Sequence, residues 1–72
     1  MDKAALDEAL LGAHAAGDRA ALVTLYAKAA DGSSDAAAFY LTQAYVFALE
    51  IGDARAQALR ARLVALRAEV PS

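Results

Sequence analysis

The sequence predicts an all-α protein of four short helices, arranged as two antiparallel helix-turn-helix hairpins. Three observations carry this expectation. Twenty-two of the 72 residues are Ala and ten are Leu, types that lose little or no side-chain entropy in a helix. Only seven residues are β-branched, too few to build a sheet. Finally, a Gly-Asp pair occurs at 17–18 and again at 52–53. Gly tolerates the left-handed conformation that ends a helix, and Asp accepts from the exposed N–H groups that open the next, so each pair stops one helix and starts another.

The first helix, about 2–16, places Leu6, Ala9, Leu10 and Ala13 on one stripe and Asp2, Asp7 and Glu8 elsewhere, the pattern of a one-sided helix. The second, about 18–31, carries Ala21, Leu22, Leu25, Tyr26 and Ala29 on its buried stripe. Both are expected to be outer elements. Residues 31–35, DGSSD, are rich in turn and cap residues; they end the second helix and start the third.

The third helix, about 34–51, is apolar on nearly every side, with Thr42, Gln43 and Glu50 the only strongly polar interruptions between Phe39 and Ile51. It is expected to be buried on most sides. Four short helices cannot enclose one of their own number, so part of it should remain exposed, and exposed apolar patches mark contact sites. The competing expectation is a plain central core helix. The fourth helix, about 53–69, repeats Ala56, Leu59, Leu63, Leu66 and Val70 as a heptad seam flanked by Arg55, Arg60, Arg62, Arg67 and Glu69. Pairing two such seams would set Arg against Arg, so this seam should pack inside the monomer, with the acids of the first helix as partners for its charge. Pro71 is expected to close the helix.

The whole chain, 1–72, reads as a single domain, with hairpin one at about 2–31 and hairpin two at about 34–69. A domain this small buries only about 60% of its unfolded surface. Small folds offset that deficit with disulfides, metals, regular packing or association. Cys is absent, which removes disulfides and thiolate metal sites together. The N-terminal segment MDKAALDEALLGA lacks the basic region and long apolar core of a secretory signal. A cytoplasmic, soluble chain is expected. The longest apolar stretch, 36–49, spans 14 residues, short of the roughly 20 a membrane helix needs. A net charge of -2 argues against a nucleic-acid binder, which needs a basic face to displace counterions.

Shifting the first half onto the second by 35 aligns Leu6 with Leu41, Ala9 with Ala44, Ala13 with Ala48, the two Gly-Asp pairs, and Ala21 with Ala56. A period of that length, helix-turn-helix in each unit, lies near that of helical-hairpin repeats. At residues 38–59, AFYLTQAYVFALEIGDARAQAL, the chain resembles the tetratricopeptide repeat (TPR) family. The match is to that family's first helix, its Gly-Asp turn and its Ala-containing second helix. The resemblance covers 34–66 best and 4–30 more loosely. It departs at Tyr45, where the family usually has Gly, at Gln57, where it has Ala, and in lacking a Pro between the hairpins. A TPR-like stack is thus one expected arrangement and an Ala-rich helical bundle with two similar turns the other.

Catalysis has little to work with. The chain has one His and no Cys, so a triad would need His14 beside Ser33 or Ser34 with an acid behind it, and no spacing suggests one. His14 and Asp18 are separated by a helix break and lack a further metal ligand at a known spacing. Asp7 and Glu8 are adjacent and diverge on a helix, so they form no carboxylate pair. No enzyme, cofactor or metal site is expected.

The leading expectation is a small protein–protein interaction module or scaffold that binds another protein, a peptide or a second copy of itself, as a homodimer or larger homo-oligomer. The resemblance together with helix spacing implies a surface of Asp7, Glu8, Leu11 and His14 from hairpin one. Hairpin two would add Phe39, Thr42, Gln43, Val46 and Glu50, with Phe47 a candidate at a self-interface. Gly17, Asp18, Gly52 and Asp53 are the structural turns. Two alternatives are a structural small subunit of a larger assembly and a binder of an apolar small molecule or lipid in a cavity among the second, third and fourth helices.

Overall fold

Three turns divide the chain into α1 (Lys3–Ala16), α2 (Arg19–Asp31), α3 (Ala37–Ile51) and α4 (Arg55–Glu69). The structure is a computed structural model that describes residues 3–32 and 35–69, with side chains described through Leu66. The fold is all-α. Asp2, Ser33, Ser34, Val70 and Pro71, and the side chains of Arg67 and Glu69, lie outside the described residues, and so do the expectations placed on them.

The two Gly-Asp turns share one backbone geometry. Gly17 (φ 66) and Gly52 (φ 65) are both left-handed. Each glycine N–H donates to a carbonyl three residues back, His14 and Leu49, both at 3.2 Å. Each following Asp N–H donates to a carbonyl five residues back, Ala13 at 2.9 Å and Ala48 at 2.8 Å. This is the Schellman pattern, which satisfies the orphan carbonyls of a helix end. The Asp carboxylates then serve the next helix: Asp18 Oδ1 accepts from the Ala21 N–H at 3.1 Å, and Asp53 Oδ1 from the Arg55 N–H at 2.8 Å.

The central turn works differently. α3 starts at Ala37 rather than near 34, and its N-cap, Ala36, makes no side-chain hydrogen bond. Its start is set by packing, because Ala37, Tyr40 and Leu41 all lie in or against the core.

That core consists of Val23 and Ala30 from α2, Leu41, Ala44 and Ala48 from α3, and Leu59 from α4. Small side chains at Ala44 and Ala48, both fully buried, let the helices approach closely. The expected seam of α4 faces this core: Leu59 is buried, and Ala56, Leu63 and Leu66 pack against it.

Expectations on the burial of α2 and on the charge partners of α4 are corrected. α2 is an inner helix, not an outer one. Val23, fully buried, and Ala30 face α3 and α4, while Leu22 and Ala29 are buried on a second face. α3 is the more exposed of the two, because Phe39, Val46, Leu49 and Ile51 stand open to solvent. The charge partners of α4 also differ from those expected. Arg62 pairs with Asp31 at the end of α2, and Arg55 with Asp53 (2.8 Å), rather than with acids of α1.

Arg55 does more than close its own cap. It donates to Asp53 through its backbone and its guanidinium, to Thr24 Oγ1 at 2.7 Å and to the Ala20 carbonyl at 3.3 Å. One side chain therefore ties the start of α4 to the middle of α2.

Candidate interaction surface

The outer face of α3 gathers several exposed apolar side chains on one helix. Helical spacing sets Phe39, Thr42, Val46 and Glu50 along one line, with Leu49 beside it. Phe39 is 59% exposed, Leu49 55% and Val46 42%, so the apolar side chains face solvent although α3 lies against both α2 and α4. From Ala36 to Leu49 no residue is charged. The charge that ends the stretch, Glu50, accepts from Arg19 Nε at 2.8 Å. Thr42 turns its hydroxyl back on its own helix, donating to the Ala38 carbonyl at 2.7 Å. The face is thus apolar with its polar groups largely satisfied from within, which lowers the cost of removing it from water.

The residues singled out from the sequence divide into three sets. Phe39, Thr42, Val46 and Glu50 share the outer face of α3, with Gln43 half-buried at its margin. Asp7, Glu8 and Leu11 are exposed on α1, Leu11 at 70%. Leu11 and Val46 are 35 positions apart and both are exposed apolar residues on the first helix of a hairpin.

His14 and Phe47 form the third set. Phe47 is half-buried and packs against the core. Its ring stacks on Tyr26 (centroids 6.0 Å apart, planes 9° apart) and meets His14 edge-on at 5.8 Å. His14 Nε2 lies 3.1 Å from the Tyr26 hydroxyl. These three rings join α1, α2 and α3 near the Gly-Asp end of the molecule. Tyr40 continues the series, 6.2 Å from Tyr26 and 5.5 Å from the exposed Phe39.

Sequence reasoning did not assign Leu49 to the site, although it lies within the stretch of α3 that reads as apolar on nearly every side. The available signal was its apolar character beside Val46; what it could not supply was which side of α3 the other helices cover. Val64 on α4 is a further exposed apolar residue, at 59%.

The Asp53–Arg55 pair at the second turn perturbs both of its own charges. Hydrogen bonds from Arg55 hold the Asp53 carboxyl below the usual carboxylate range, and the same contact raises Arg55. The polar contact of the lone His is with Tyr26, and among the described residues no three His, Asp or Glu side chains gather as a metal-binding group. Between α2, α3 and α4, where one alternative reading places an apolar ligand, stand the side chains of Val23, Leu41 and Leu59. Among the described residues no helix is long and apolar enough to cross a membrane.

No family model, curated protein or solved structure matches the chain.

Proposed function

We propose that this chain is a small non-enzymatic scaffold that self-associates through the outer face of α3. The observation that carries the reading is the uncharged apolar face of Phe39, Val46 and Leu49, open to solvent on a helix already packed on two others. A face whose one charge, Glu50, stands at its end and is paired with Arg19 can meet its own copy with little like-charge repulsion, whereas the Arg-flanked seam of α4 is taken up inside the chain. Association would also add buried apolar area to a core built mostly of Ala and Leu side chains, which is how many small folds reach useful stability. The resemblance to helical-hairpin repeats agrees with such stacking, since repeat units bury their faces against neighbours. A cytoplasmic setting belongs to the same proposal and rests on the sequence.

Solution mass by light scattering after size exclusion, across a dilution series, tests this reading. The native chain is expected as a dimer or larger species, and Val46→Glu and Leu49→Glu as folded monomers with unchanged helical circular dichroism. A native chain that stays monomeric at every concentration, or variants that associate as the native chain does, would overturn it.

A further inference from the structure

At the end of the molecule opposite the Gly-Asp turns, α1, α2 and α3 enclose a cleft of about 730 Å³. Its position follows from how α1 meets α3. The His14–Phe47 contact brings their C-terminal parts together, and the cleft lies between their N-terminal parts, over the last turn of α2. Leu6, Ala29 and Tyr40 form its apolar walls, one residue from each helix. Lys3 of α1 and Lys28 of α2 line the same cleft. Among the described residues neither has an ion-pair partner, whereas Asp31, the acid that lines the cleft, is held by Arg62. Among the described residues the charge left unpaired at the cleft is positive, on a chain whose net charge is negative.

We propose that this cleft binds an acidic peptide segment carrying one large apolar side chain. The volume lies within the about 300–1,000 Å³ typical of ligand pockets. An aromatic or aliphatic anchor would enter between Leu6 and Tyr40, and flanking carboxylates would pair with Lys3 and Lys28. Two lysines from different helices suit a ligand with more than one carboxylate, which an acidic peptide offers and a fatty acid does not; this favours the peptide. The lining residues are separate from the outer face of α3, so the site goes beyond self-association and stands without it.

The test is fluorescence anisotropy of a fluorescein-labelled peptide of glutamates around a single Trp, titrated with the full chain. A saturable rise is expected, weakened about tenfold or more by the Lys3→Glu/Lys28→Glu double variant, and similarly weakened when Ser replaces the Trp. Both lysines are exposed, so the variant should keep its helical circular dichroism. Should charge reversal disturb the fold, Lys3→Gln/Lys28→Gln carries the same comparison. The proposal is overturned by any of four results: no saturable rise, unchanged affinity in the lysine variants, equal binding of a peptide with lysines in place of glutamates, or stronger binding of a fluorescent fatty acid than of the peptide.

Discussion

Replacing glycine by alanine should have opposite effects at different places in this chain. Gly12 lies inside α1 with open space where a Cβ would stand; Ala there relieves the backbone-entropy cost of glycine and should stabilise by about 0.5–1 kcal/mol. Gly17 and Gly52 have equally open surroundings but positive φ, so Ala at either should cost about 1 kcal/mol through backbone strain alone. Urea denaturation of the three single variants reads the signs directly, and equal costs at Gly17 and Gly52 are expected because their turns share hydrogen bonds 35 residues apart. Asp53 supplies a pH test. Its folded carboxyl titrates below the ordinary value because Arg55 donates to it. Its contribution is therefore present above the ordinary carboxylate pKa and lost as the pH falls through the lower folded value, below about pH 4. Thermal midpoints measured down that range should fall less steeply for Asp53→Asn than for the native chain. These turns were legible in the sequence because Gly followed by Asp has one compact chemical meaning at a helix end. The reach of Arg55 to Thr24 and Ala20 was not, since those partners are set by how α4 crosses α2.

Among the elements, α2 shows how an Ala-rich sequence conceals its packing. The apolar stripe through Leu22, Leu25 and Ala29 was readable from spacing, but Val23 and Ala30 turn a second apolar face about 100° away, and the chain buries both. Periodicity fails where small apolar residues leave no polar side to mark the surface. Val23 should accordingly be a sensitive position: Val23→Ala removes two methyl groups from a fully buried site and should cost about 2 kcal/mol in urea denaturation. α3 makes the complementary argument through adjacent residues. Phe47 packs among His14, Tyr26 and the core, so Phe47→Glu should lower stability by about 2 kcal/mol or more. Val46→Glu, on the open side, should leave folding nearly unchanged while altering association. The sequence marked α3 as apolar all round. Only packing could say that its Leu41, Ala44 and Ala48 line is covered and its Phe39, Val46 and Leu49 line is not. The cleft was out of reach of sequence reasoning altogether, because it depends on the relative placement of α1 and α3, and its two lysines come from different helices.

The whole molecule is flat, with extents of 37 × 28 × 15 Å and a radius of gyration of 12.1 Å, against about 11 Å for a compact chain of this length. Flatness follows from the order of packing: α1 lies on α2, α2 on α3 and α3 on α4, and no helix is enclosed by the other three. A flat arrangement has much surface for its volume, so burial within one copy leaves the fold short of apolar contact. A second copy on α3 would supply it, and this ties stability to concentration. If the dimer is the stable species, each tenfold rise in protein concentration adds about 1.4 kcal/mol per dimer, or about 0.7 kcal/mol per chain. For a domain of this size that moves the thermal midpoint by about 3–6 °C. Circular dichroism melts of the native chain should therefore shift upward with concentration, while those of Val46→Glu should superimpose at the lower midpoint. Superimposable native melts over a hundredfold range would mean that the flat monomer is stable by itself, and that the face of Phe39, Val46 and Leu49 is not closed by its own copy.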